Sequence, residues 1–303
     1  MRKELSALHL GSLAAQTIRD AASSGILGEI VSAFPNSLYI KATSGELIFI
    51  TNRQLKSPIT LNLDSTTNFT QIVRPQDRVS LGDSGIRLGE SISVNLSRVT
   101  RSTMQTSSRI HELTITELAL YLASLILMIV DNDLSVLDQA GLAHVGASKF
   151  VSDGVLPFRR SNDVNLIRNA ALRIVGLGSG FTPSCDDLLG GFLATYNSFT
   201  RLTGRETINL EGDSLESKTN WVSAKLLDYM QRQILDEEVS TLIESCASQA
   251  GDFMLALETL LPRGHTSGID ILVGVLLALG LIHDICWKGD VTSVIVKNLR
   301  LLS

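Results

Sequence analysis

Residues Gly176–Gly191 read GLGSGFTPSCDDLLGG: three glycines at alternate positions and a proline stand ahead of two adjacent aspartates and an aliphatic run. Glycine and proline at that density make a loop. The apolar residues that follow, through Phe199, have the length and spacing of a helix. The stretch therefore delivers two carboxylates, Asp186 and Asp187, to a loop-to-helix junction.

The pattern occurs twice. Ser184–Gly191 can be laid on Ser267–Gly274, both reading S-x-x-D-x-L-x-G, and each copy follows a glycine-bearing loop, GLGSGFTP or PRGHT. One reading is helix punctuation: serine with an acid three residues later resembles a capping box, and an acid in the first turn suits the helix dipole. Thr182-Pro183 could equally supply the cap and first helical residue, so the helix start is open by two positions. Capping does not explain Gly191 and Gly274, each four residues after its aspartate and on the same helical face. A glycine inside a helix costs about 1 kcal/mol relative to alanine. Its use at two equivalent places predicts that the two helices cross there and bring their N-termini together.

Paired helix N-termini favour an anion such as phosphate or carboxylate, yet Asp186, Asp187 and Asp270 would repel one. Three resolutions are open: a cation such as Mg²⁺ bridging Asp186 and Asp187, an intervening basic side chain, or a carboxylate serving as proton acceptor. Arg263 and His265 are the basic candidates. The expected acid–base set is Asp186, Asp187, His265 and Asp270. The expected substrate-binding set is Gly178, Gly180, Thr182, Ser184, Arg263, Gly264, Thr266, Ser267 and Gly268. Cys185, at a helix start, could be an activated nucleophile, but its counterpart is Gly268, which favours a small space-filling role. His283 reads as a helix-end residue, and His9, His111 and His144 have no partner at a telling spacing. The dinucleotide fingerprint fails at Phe181, no P-loop lysine follows Gly180, and no GxSxG surrounds Ser184.

Outward from this region, the chain of 303 residues changes period. After a helical pattern at Leu10–Ser23 come ILGEIVSAF, NSLYIKAT, ELIFITN, ITLNL, RVSLG, IRLG and SISVNL, short β-rich runs divided by turn residues. From about Thr103 the segments lengthen to helical size: TITELALYLASLILMIV, VNLIRNAALRIV, DDLLGGFLATYNSF, TNWVSAKLLDYMQRQIL, EEVSTLIESCASQAGDFMLALETLL and GIDILVGVLLALGLIHDI. The expected fold class is α+β, with a small β-barrel or sandwich over residues 1–105 and a mainly helical domain over 106–303.

Composition narrows the function classes. The chain is 44% hydrophobic and 19% charged, which fits a buried core, and its formal charge of −5 carries no basic stripe for nucleic acid. Three widely spaced cysteines suit reduced thiols in a cytoplasm. The start, MRKELSALHLGSLAAQ, has a broken apolar run unlike a signal peptide. Leu118–Val130 and Ile271–Ile282 are uncharged for 13 and 12 residues, short of the ~20 that span a bilayer, so buried core helices are expected and no membrane.

At the two motifs the sequence resembles a bacterial family, long one of unknown function, associated with the AllH-type subunit of oxamate carbamoyltransferase in allantoin degradation. The family signatures are close to GLGPGLTPSGDDFLAG and GHTSGxDxLxG. Gly176, Gly178, Gly180, Thr182, Pro183, Ser184, Asp186, Asp187, Leu189 and Gly191 fit the first. Gly264, His265, Thr266, Ser267, Gly268, Asp270 and Gly274 fit the second. Ser179, Phe181 and Cys185 depart from the first, where it has proline, leucine and glycine, and a glycine at 185 could take a backbone shape that cysteine disfavours. The resemblance implies a subunit that acts with two larger partners, one of them similar to acyl-CoA synthetases. Together these move a carbamoyl group between oxamate-like amides and phosphate. It implies a small anionic ligand, carbamoyl phosphate or oxamate, at the two loops. The alternatives are a non-catalytic metabolite-binding or assembly subunit and a metal-dependent hydrolase.

Overall fold

The computed structural model describes residues 3–102, 143–211, 215–247, 250–264, 266–299 and 301, with 110, 114, 116–118 and 121 between the first two stretches. The chain divides into two compact units, Met1–Gln105 and Thr106–Ser303.

The first unit is an eight-stranded barrel with a ninth strand added. The strands are β1 (Lys3–Gly11), β2 (Ile26–Phe34), β3 (Ser37–Ala42), β4 (Leu47–Thr51), β5 (Thr60–Asp64), β6 (Arg78–Gly82), β7 (Gly85–Leu88), β8 (Ile92–Asn95) and β9 (Thr100–Ser102). They run in the order β5-β4-β3-β2-β6-β7-β8-β1-β9, and an antiparallel β1–β5 pairing closes the ring. Closure removes the unpaired edges that a sheet of this size would otherwise expose. Alternate residues point inward, among them Leu38 and Ile40 of β3, Ile86 and Leu88 of β7, and Ile92 and Val94 of β8, all fully buried. Phe69, on a 3₁₀ turn at Phe69–Gln71, joins them in this core.

All seven expected strands form, but the closing strand β1 and the short β9 are additions to them. The alternation of β1 is hidden in KELSALHLG, where Lys3, Glu4, Ser6 and Ala7 have low strand preference, and pairing with β5 on one side and β8 and β9 on the other imposes the conformation. The helical pattern at Leu10–Ser23 is shorter than expected: α1 spans Ser12–Asp20 and a 3₁₀ turn continues to Ser23.

The second unit is helical. Its described helices are α2 (Ala143–Phe150), α3 (Leu156–Ser161), α4 (Val164–Ile174), α5 (Ser184–Ser198), α6 (Thr200–Thr203), α7 (Trp221–Gln231), α8 (Glu237–Ser245), α9 (Ala250–Leu260), α10 (Ser267–Trp287) and α11 (Val291–Asn298). The expected helix at TITELALYLASLILMIV lies almost wholly outside the described residues. The single helix expected over EEVSTLIESCASQAGDFMLALETLL is two, α8 and α9, with a turn at Cys246 and Ala247.

Helices α5 and α10 form the centre of this unit. Sixteen of the 21 residues of α10 are buried, and α5 is buried almost along its length. Helix α10 is the one described helix long and apolar enough to cross a membrane, and its apolar surface is spent inside the unit. The 12-residue run Ile271–Ile282 is thus the middle of a longer core helix. A helix hydrophobic all round is what burial on every side demands.

Candidate functional site

The crossing of α5 and α10 is built on glycine. A Cβ added to Gly191 would stand 2.2 Å from the Ile271 carbonyl oxygen, and one added to Gly274 would stand 2.0 Å from that of Leu188. Ile271 follows Asp270 as Leu188 follows Asp187, so the two contacts are equivalent and the helix pair has an internal twofold relation. With no side chain at either point, the backbones touch, and the first turns of both helices are drawn to one place.

Capping does not account for the serines. The N-caps are Pro183 and Thr266, neither with a side-chain cap bond, and Ser184 and Ser267 are the first helical residues. Part of the N–H set is also occupied: Cys185 N–H donates to the Leu177 carbonyl and Gly268 N–H to that of Arg263. The serines instead act across the pair, Ser267 on Asp187 and Ser184 on Asp270.

The three aspartates have different surroundings. Asp186 is buried, and its oxygens accept from the Gly176 N–H at 2.7 Å, the Thr219 hydroxyl at 2.6 Å and the Ser223 hydroxyl at 2.7 Å. Such a carboxylate is a structural tie. Its lone pairs face donors, a poor fit to the Mg²⁺ role expected of it. Asn220 reinforces the tie by donating to the Phe181 carbonyl at 2.7 Å and capping α7 through Ser223 N–H. Gly176 fits beneath Lys218, whose carbonyl oxygen would lie 2.1 Å from a Cβ there, at a φ of +80°. The segment 218–223 thus clasps the glycine loop. Sequence reading missed Thr219, Asn220 and Ser223; the one signal was an Asn-capped helix start without a role.

Asp187 is half-buried and accepts from the Thr182 hydroxyl at 3.0 Å. Burial raises its carboxyl to about 7, opposed by Ser267, by the charge of Arg263 and by Thr182, and assisted by Asp270. Asp270 is fully buried, and neither of its oxygens accepts a hydrogen bond of normal geometry among the described residues. Burial raises it to about 6, tempered by the Thr266 and Ser184 hydroxyls. Two carboxylates from distant copies of one motif therefore share one electrostatic environment, and near neutral pH one of them holds or releases a proton readily.

Arg263 supplies positive charge. Its guanidinium pairs with Asp236 and, at 3.7 Å, with Glu238. Burial works against its charge, but Asp236, Asp187 and Glu238 together hold it above its ordinary value. Asp236, which also caps α8 through Val239 N–H, was not foreseen; the acidic run Asp236-Glu237-Glu238 at a helix start was its trace in the sequence.

The remaining expected residues divide. Thr182, Ser184, Thr266 and Ser267 line the two carboxylates. Gly178 folds onto Ser184, and Gly264 onto Ser267, in backbone shapes with φ of +107° and +61°. Gly268 packs against the Leu260 carbonyl, 2.2 Å from where a Cβ would be, so its role is helix contact. Gly180 lies in the loop with φ of +104°. His265 lies outside the described residues. Cys185 sits in ordinary helical geometry, so the glycine of the family signature is not required for backbone shape. Its thiol is pushed up to about 12 by burial and by Asp186 and Asp270, the opposite of an activated nucleophile. Among the described residues, no group of three or more His, Cys, Asp or Glu side chains is placed to hold a metal ion.

No solved structure matches the chain. Residues 6–101 match the model of the AllH family N-terminal domain, and residues 174–279, which contain both motifs, match that of oxamate carbamoyltransferase subunit AllH. The two matches cover most of the barrel and the crossing helices with their loops, and the chain belongs to the AllH family of carbamoyltransferase subunits.

Proposed function

We propose that this chain is a cytoplasmic subunit of an oxamate carbamoyltransferase working in allantoin degradation, and that the paired starts of α5 and α10 bind its small anionic substrate, carbamoyl phosphate or oxamate. Asp187 of one motif copy feels both the charge of Asp270 from the other copy and that of Arg263, and that observation carries the reading. Arg263 and the helix dipoles attract the anionic end of the ligand. Asp187, poised near neutrality, takes the proton from the attacking amide nitrogen as its bond to the carbamoyl carbon forms and the bond from that carbon to the phosphate oxygen breaks. The leaving phosphate carries away the electron pair. Most of the remaining rate gain would come from holding the two reactants in line. The active form includes partner subunits, one of them acyl-CoA-synthetase-like.

The test is turnover of carbamoyl phosphate with oxamate by the chain alone and with its partner subunits, with and without Mg²⁺. Activity that needs the partners and falls at least roughly a hundredfold in Asp187→Asn supports the reading, that being the usual scale for an acid–base group. Turnover unchanged in Asp187→Asn and in His265→Ala would overturn it and favour an assembly role.

A further inference from the structure

Among the described residues, Asp270 is the one carboxylate with both oxygens buried and unpartnered. It has no exposed surface, neither oxygen has a hydrogen-bond donor of normal geometry among the described residues, and it lies in the first turn of α10 at the crossing with α5. Asp186, one motif copy away, shows what a purely structural aspartate here looks like: three donors at 2.6–2.7 Å. An ionised carboxylate met in that setting only by two poorly aligned hydroxyls, Thr266 and Ser184, costs free energy that folding alone gives no reason to accept.

The surroundings limit what could complete it. The hydroxyls of Thr266 and Ser184 act on it, and its charge and that of Asp187 oppose each other. An anion is therefore excluded from direct contact. Thr182, Asp187, Arg263, Thr266 and Ser267, the polar residues of the two motifs, are half-buried, and a small ligand would approach Asp270 along them. Its anionic end would turn to Arg263, and the end facing Asp270 must donate hydrogen bonds in little space.

We infer that Asp270 is a specificity-determining residue that accepts the N–H groups of a primary carboxamide, so that the site selects ligands carrying –CO–NH₂ over those carrying –CO–CH₃. The inference rests on the proposed carbamoyltransferase reading. It adds the residue that separates a carbamoyl group from an acetyl group of almost the same size. A methyl in place of the –NH₂ would leave the buried carboxylate bare, and sites built around a hydrogen bond reject such analogues strongly.

Two ligand pairs test this by titration calorimetry on the full chain, repeated with partner subunits added: carbamoyl phosphate against acetyl phosphate, and oxamate against pyruvate. The wild type is expected to prefer the amide member of at least one pair by tenfold or more, roughly the value of one hydrogen bond to a charged group. The pair that shows it identifies which substrate meets Asp270. In Asp270→Asn and Asp270→Ser, that preference is expected to shrink to about twofold or less, mainly through weaker amide binding, while thermal melting confirms a folded chain. Equal affinity for both members of each pair in the wild type, or a preference that survives both substitutions, would overturn the Asp270 assignment and leave the proposed function standing. Binding of none of the four ligands, alone or with partners, would overturn both.

Discussion

Gly191 and Gly274 are the same contact made from opposite sides. Each presents its bare Cα to the backbone carbonyl of the residue after the other helix's motif aspartate, Ile271 for Gly191 and Leu188 for Gly274. The acidic helix starts converge because these two positions have no side chain.

Alanine at either position should therefore destabilise the helical unit. Helix preference alone would make glycine to alanine stabilising by about 1 kcal/mol. A Cβ 2.0–2.2 Å from a carbonyl oxygen reverses the sign, since a backbone atom in a packed core cannot step aside. Gly191→Ala and Gly274→Ala are each expected to cost about 1–3 kcal/mol or more by urea unfolding. Stabilisation by either would mean that the helices do not touch there.

Asp186 and Asp187 are neighbours with opposite expected behaviour. Replacing Asp186 by asparagine turns an acceptor of three bonds into a group whose amide faces a donor, and should cost about 1–3 kcal/mol of stability. Asp187→Asn removes a carboxyl that burial already disfavours in its charged form. It should leave stability equal or higher while reducing turnover. Equal losses of stability in both variants would contradict the division into a tie and a working group.

The raised carboxyl of Asp270 links stability to pH. The unfolded chain ionises this group near pH 4 and the folded chain near pH 6, so the folded state holds the extra proton between them. Stability contributed by the group is thus full below pH 4 and lost as pH rises through 6. Asp270→Asn has no such term. The stability of wild type minus variant should fall by on the order of 3 kcal/mol between pH 4 and pH 7. Removing this charge should also lower the carboxyl of Asp187, to whose rise it contributes. A difference flat across that range, measured by thermal unfolding at each pH, would show that Asp270 titrates normally.

Much of this arrangement was legible before any coordinates. The seven strand runs could be read because residues such as Leu38, Ile40, Ile86 and Leu88 alternate with turn-forming neighbours, and alternation reports a one-faced barrel wall. The glycine crossing was legible because Gly191 and Gly274 each carried an unexplained cost at the same offset from an aspartate. Strand β1 and helix α11 were not, because their residues have no strong intrinsic preference for the conformations that their neighbours impose. The different fates of Asp186 and Asp187 were invisible for another reason. They depend on Thr219 and Ser223, more than thirty residues away, and local pattern carries no information on which of two adjacent acids meets a distant donor.

Gly146 of α2 makes the room that the Cys185 side chain fills. A Cβ on Gly146 would stand 2.2 Å from the Cys185 sulfur. The two positions are expected to be coupled. Gly146→Ala should cost about 1–3 kcal/mol in the wild type but substantially less in a Cys185→Gly background, as a double-mutant cycle in urea would read. Strictly additive effects would mean that the sulfur does not occupy that space. The same packing makes the thiol inert. Burial, with Asp186 and Asp270 beside it, pushes it to about 12, so almost no thiolate exists at pH 8. Native-state labelling with a disulfide reagent should leave Cys185 untouched until the chain unfolds, with half-buried Cys286 reacting first. Labelling of Cys185 in the folded chain at the rate of a free thiol would contradict this placement and return it to the candidate nucleophiles.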